Sequence, residues 1–151
     1  MNGRTRQNTG ETEREIRVEI PSRLEELSKI ERLAQTIAHK FRLSTDKVDN
    51  LAIAMTEAVG NAIVHGNGRN PGKMVRIAYW QDSDMLRIRV EDQGKGFDPE
   101  AISDPLAPEN LMKEHGRGIF ILRNLMDEVR FSFSSKGTVV HMAIHIGERL
   151  T

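Results

Sequence analysis

The stretch from Thr56 to Asn67 reads TEAVGNAIVHGN, and its pattern decides how the rest of the chain is arranged. Val48, Leu51, Ala52, Met55, Val59, Ala62 and Ile63 recur at helical intervals, so a helix starting at Ser44 or Thr45 turns one face inward. His65-Gly66-Asn67-Gly68 is a glycine-rich stop. Within the helix Glu57, Asn61 and His65 are spaced by four. Four residues turn a helix by about 400°, so these polar groups share a stripe beside the apolar one. A polar rim is the plainer reading of Glu57 taken alone.

Outward from this helix the signals stay regular. Ile16, Val18 and Ile20 alternate with Arg17 and Glu19 as a half-buried strand requires, and Pro21 ends it. Ser22 is placed to cap a helix with the apolar stripe Leu24, Leu27, Ile30, Leu33, Ala34, Ile37, Ala38 and Phe41. After the central helix, Val75, Ile77 and Tyr79 alternate in one strand and Leu86, Ile88 and Val90 in the next. Gln81-Asp82-Ser83-Asp84 is a hairpin-sized loop between them. A helix over 119–126 and two strands, carrying Val129, Phe131, Phe133 and then Val140, Met142, Ile144, Ile146, complete the order. Strand, two helices, two strands, loop, helix, two strands is the pattern of an α+β two-layer sandwich. Its sheet is expected to be mixed but mostly antiparallel, with helices on one face.

Composition narrows the function classes. The chain has 151 residues, 38% hydrophobic and 29% charged, which suits one globular domain. Residues 1–14 are polar and aperiodic and read as a disordered leader or an expression remnant, leaving 15–151 as the domain. No cysteine is present, which excludes a disulfide framework, thiolate metal ligands and a Cys nucleophile. No apolar run is long enough for a membrane span or a signal peptide, so the expected compartment is the cytoplasm. Lys plus Arg number 22 against 22 Asp plus Glu, which argues against a direct nucleic-acid partner.

The segment 92–118 departs from this regularity and concentrates Gly and Pro, as functional loops do. Asp92-Gln93-Gly94-Lys95-Gly96 alone is an ordinary strand-ending turn. Gly116-Arg117-Gly118 ahead of an apolar helix makes a phosphate cradle of bare amides, or simply a flexible loop end. Order and spacing make more of them. Glu57-x-x-x-Asn61, Asp92-x-Gly94-x-Gly96, Gly116-x-Gly118 and Gly137-Thr138 resemble the N, G1, G2 and G3 boxes of the Bergerat-fold (GHKL, histidine-kinase-like) ATPases. Within that superfamily the chain most resembles the anti-sigma-factor serine kinases of the RsbW/SpoIIAB type. The segments TEAVGNAIVHGN, DQGKGFDP (92–99) and GRGIFILRNLMDEV (116–129) carry the likeness, which covers about residues 16–146.

The resemblance implies ATP and Mg²⁺, with roles for individual residues. Asn61 is then the oxygen ligand to Mg²⁺, and Glu57 the general base for the attacking hydroxyl. Asp92 accepts from the exocyclic amine of adenine. Guanine would set a carbonyl against that carboxylate, so ATP is expected over GTP. Gly94 and Gly96 let a lid over 99–115 hinge, Gly116 and Gly118 bring amides to the phosphates, and the Thr138 hydroxyl supports the adenine side. Arg117 stands where an aliphatic residue is common in this family; it either reaches the γ-phosphate or points to solvent. The implied activity is ATP-dependent serine phosphorylation of a STAS-domain anti-anti-sigma factor by a homodimer that also binds a sigma factor. The alternative is a nucleotide-sensing module that controls a partner without phosphotransfer.

Two further features are weighed. His141 and His145 share a strand face, a spacing that is commonplace without a metal. The outward sheet face is expected to set Trp80 among Arg17, Arg76, Arg87, Arg89 and Arg130, residue types over-represented where proteins meet.

Overall fold

The computed structural model describes residues 15–94 and 118–146. β1 (Ile16–Pro21) leads through a short 3-10 turn (Leu24–Glu26) into α1 (Leu27–Lys40) and α2 (Thr45–Asn61). A π-helical turn (Ala62–Gly66) prolongs α2 before β2 (Met74–Asp82) and β3 (Met85–Glu91). α3, residues 118–125, precedes β4 (Glu128–Ser134) and β5 (Gly137–His145). The expected leader, 1–14, and the expected lid, 99–115, lie outside the described residues.

The strands form one sheet in the order β1-β2-β3-β5-β4, and every described pairing is antiparallel. Alternation sets the faces: Val18 pairs Ile77, Ile77 pairs Val90 and Val90 pairs Val140, all turned toward the helices. There they meet Ile30, Ile37, Leu51, Met55, Val59 and Leu122 in one core. The two-layer sandwich expected from the element order is therefore the architecture found.

Three local expectations are corrected. Ser22 caps no helix: the chain leaves β1 through the 3-10 turn, α1 begins only at Leu27, and neither start has a side-chain cap. The Ser22 hydroxyl instead donates to the Lys73 carbonyl at 2.7 Å. Leu24 consequently falls outside the apolar stripe and is exposed. The β2–β3 loop is tighter than expected, because Asp82 pairs with Met85 and leaves only Ser83 and Asp84 to turn, with Ser83 at φ 62°.

The other sheet face carries the row Arg17, Ala78, Arg89, His141, Arg130 across all five strands. Trp80 lies there under the Arg89 guanidinium, 5.4 Å from ring centroid to carbon, as the alternation foretold. The arginines are not a bare positive field, however. Arg76 pairs Glu19 at 2.7 Å, Arg89 pairs Glu91 at 2.8 Å, and Arg87 pairs both Asp82 and Glu128.

Candidate nucleotide site

The last two turns of α2, its π-helical extension, the end of β3, the start of α3 and the start of β5 converge at one end of the sandwich. Glu57 and Asn61, one turn apart on α2, are both half-buried. Both face the buried Gly118 at the start of α3. A methyl group there would sit 2.5 Å from Glu57 Oε2 and 2.9 Å from Asn61 Nδ2, so any larger residue would push these two side-chain ends from their present positions. The α2 stripe and the start of α3, 57 residues apart in sequence for Asn61 and Gly118, are thus brought together.

The second half of the site is built around Asp92, directly after β3. Its Oδ1 accepts from the backbone N–H of Gly94 at 3.0 Å and of Thr138 at 3.1 Å. Its own N–H donates to the Thr138 carbonyl at 3.0 Å. Thr138 therefore meets Asp92 through its backbone, whereas the resemblance singled out its hydroxyl. Burial pushes the Asp92 carboxyl up from its ordinary value, against the opposing pull of the Thr138 and Gly94 amides and of the Lys73 charge. A carboxylate kept partly out of water with one oxygen fixed by two amides is an oriented acceptor.

Gly66 lies against the other side of that carboxylate. A methyl group at Gly66 would overlap Asp92 Oδ2, and one at Gly94 would run into the Gly66 carbonyl. The π-helical turn makes this possible: Asn67 N–H bonds back five residues to Ala62 O at 2.8 Å, and the widened turn carries Gly66 against Asp92. In the sequence Gly66 and Asn67 read as a helix stop only. A glycine next to a four-spaced polar stripe was the available signal, but nothing in a pattern shows which distant residue it meets.

Asn67 is 4% exposed. Its Nδ2 donates to Ser22 Oγ at 2.8 Å and to the Met74 carbonyl at 3.0 Å, and its Oδ1 accepts from Gln93 N–H at 2.7 Å. Gln93 Oε1 in turn accepts from Met74 N–H at 2.5 Å.

Gly96, Gly116 and Arg117 lie outside the described residues, as does the segment 99–115 expected to form a lid. His65 is exposed on the π-helical turn. No group of His, Asp and Glu among the described residues could hold a metal ion by itself. His141, lowered from its ordinary value by burial and by Arg130 and Arg89, sits on the opposite sheet face.

A family model described as histidine kinase-like ATPase domain matches residues 20–144. The chain belongs to this family. Histidine kinase-like ATPase domains similar to this one along most of their length include curated proteins named serine-protein kinase RsbW. That of Staphylococcus epidermidis is 30% identical over 138 residues, 87% of this chain and 86% of the relative. That of Oceanobacillus iheyensis is 26% identical over 139 residues, 88% of this chain and 87% of the relative. Among solved structures, the RsbU and RsbW domains of Rv1364c from Mycobacterium tuberculosis share this fold with TM-score 0.67 and 14% identity. The match covers 89% of this chain and 33% of that one. The histidine kinase domain of Erythrobacter litoralis EL346 blue-light activated histidine kinase follows at TM-score 0.55 and 20% identity, covering 84% of this chain and 62% of that one. These likenesses agree with the ATPase fold expected from the four motif boxes.

Proposed function

We propose that this chain is an ATP-dependent serine protein kinase acting as an anti-sigma factor. It binds a sigma factor and phosphorylates a serine of a STAS-domain anti-anti-sigma antagonist. The observation that carries the reading is the convergence of Glu57 and Asn61 on Gly118, with the oriented Asp92 at the other end of the same site. Near full-length similarity to proteins named serine-protein kinase RsbW supports the substrate class.

The chemistry follows from the positions. Asp92 accepts from the exocyclic amine of adenine through Oδ2, the oxygen that the two amides leave over, and this selects ATP over GTP. α3 offers the amides of its first turn to the phosphates. Glu57 takes the proton of the substrate serine as its oxygen attacks the γ-phosphorus. The bond from that phosphorus to the β–γ bridging oxygen breaks, and ADP leaves with the electron pair. The donor set fits Mg²⁺, which takes few protein oxygens and keeps the rest of its shell in water and phosphate. Asn61 would supply one oxygen, and the ion would neutralise charge on the β- and γ-phosphates.

The test is radiolabelled phosphotransfer to the STAS-domain proteins encoded by the same genome. The wild type should label a serine on one of them. Glu57→Ala should lower the rate by at least about a hundredfold while leaving ATP affinity within about threefold. Labelling of no such protein by the wild type would remove the kinase reading. Partner control surviving Glu57→Ala intact would favour a nucleotide-sensing module instead.

A further inference from the structure

The contact between Gly66 and Asp92 is enclosed by one buried side chain. Asn67 follows Gly66, and the amide it accepts from belongs to Gln93, which follows Asp92. The same side chain holds the end of β1 through Ser22 and the start of β2 through Met74. Ser22 passes the network on to the Lys73 carbonyl, and Gln93 closes it at Met74 N–H. Both Nδ2 hydrogens and the Oδ1 acceptor are used, in a place almost closed to water. Hydrogen bonds there are directional and costly to leave unmade.

We infer that Asn67 is a positioning residue for base recognition, with Ser22 as its support. This rests on the reading of Asp92 as the adenine acceptor. The link is geometric. Oδ1 of Asp92 is tied to the amides of Gly94 and of Thr138 on β5, so β5 holds the carboxylate while Asn67 sets how the π-helical turn and residues 93–94 lie around the remaining Oδ2. Asn67 joins those two segments. A displacement well under 1 Å suffices to misalign a hydrogen bond to a ligand. Aspartate cannot replace Asn67, since an ionised carboxylate offers no donor and would face the Met74 carbonyl. The consequence is lost discrimination between bases, beyond any loss of stability.

The experiment measures ADP and GDP affinities of the purified chain by calorimetry, with melting temperature alongside, for Asn67→Ala, Asn67→Asp, Ser22→Ala and Ser22→Thr. Val48→Ala is the control: it opens a cavity at a buried residue in the first turn of α2, at the far end from Gly66. Both Asn67 variants should lower the ADP-over-GDP preference by about tenfold or more, whereas Val48→Ala loses melting temperature and keeps the preference. Ser22→Ala should reduce the preference less, by about threefold, and Ser22→Thr, which keeps the hydroxyl, should restore it. Asn67 variants that melt lower but discriminate as the wild type does would overturn the inference. If they do not fold, an unchanged preference in Ser22→Ala would overturn it as well. Failure of the underlying reading looks different: a wild type without ADP preference, or Asp92→Asn binding ADP as tightly as the wild type.

Discussion

At the scale of the residue, Asp92 shows how position changes the meaning of a common side chain. In sequence it is a turn residue before two glycines; in the fold its carboxylate is half enclosed by Gly66, Gly94 and Gly137. Because burial raises its proton affinity, the folded state holds that proton to higher pH than the unfolded chain does. Stability therefore falls as pH rises from the ordinary carboxylate range, about 3.9, through the raised folded value. Asp92→Asn keeps an oxygen for the Thr138 and Gly94 amides and removes the charge. It should melt higher than the wild type at about pH 7, with the difference shrinking towards about pH 3.5, and should lose adenine-nucleotide binding. Thermal melts across that range check the sign, and a difference that grows on acidification would contradict it. Glu57, Asn61 and Asp92 were all legible as candidates. Gly66 and Asn67 were not, since their partners Asp92 and Gln93 lie 26 residues away and no local pattern encodes that pairing.

At the scale of the element, helix ends carry the information that periodicity lacks. α1 closes with Leu43 N–H on the Ala38 carbonyl at 2.9 Å and Arg42 at φ 62°, a glycine-type closure made by arginine. A non-glycine residue in that region carries strain of about 1 kcal/mol or more, partly offset because glycine gains freedom in the unfolded chain. Arg42→Gly is therefore expected to leave the melting temperature unchanged or raise it by about 2–4 °C, read by calorimetry. A clear fall would show that the arginine side chain contributes more than its backbone costs. The end of α2 solves a different problem, widening into a π-helical turn so that Gly66 reaches Asp92. The helix and its stop were evident from the apolar spacing and the glycines. The change of helical pitch was not, because Ala62, Ile63 and Val64 suit an α-turn equally well.

At the scale of the whole molecule, equal numbers of acids and bases acquire a spatial meaning. The open sheet face was expected to gather arginines around Trp80. It does, but Arg17, Arg76, Arg87 and Arg89 each have a carboxylate within 3.1 Å. Arg76 meets its acid across strands, in the row Glu19, Arg76, Glu91, whereas Arg17 and Arg89 pair with Glu15 and Glu91, two residues away along the chain. Exposed pairs of this kind contribute little and are screened by salt. Melting temperature should accordingly move by less than about 3 °C between about 0.1 and 1 M NaCl, measured by calorimetry. A large fall would mean that this face carries a cooperative ion-pair network. No helix among the described residues is long and apolar enough to cross a membrane.

The linear pattern by itself determined the layers, the order of elements, which strand residues face the core apart from the exposed Phe133, and the four short boxes that mark the family. These follow from periodicity and from glycine, proline and aspartate at turns, which act over a few residues. Tertiary structure decided which of those residues meet: Gly118 against Glu57 and Asn61, Gly66 against Asp92, and Asn67 with Ser22, Met74 and Gln93. It also decided that Ser22 is a buried link instead of a helix cap. Contacts of this kind depend on how the sandwich closes in three dimensions, and close packing rewards a fit between surfaces far apart in the chain.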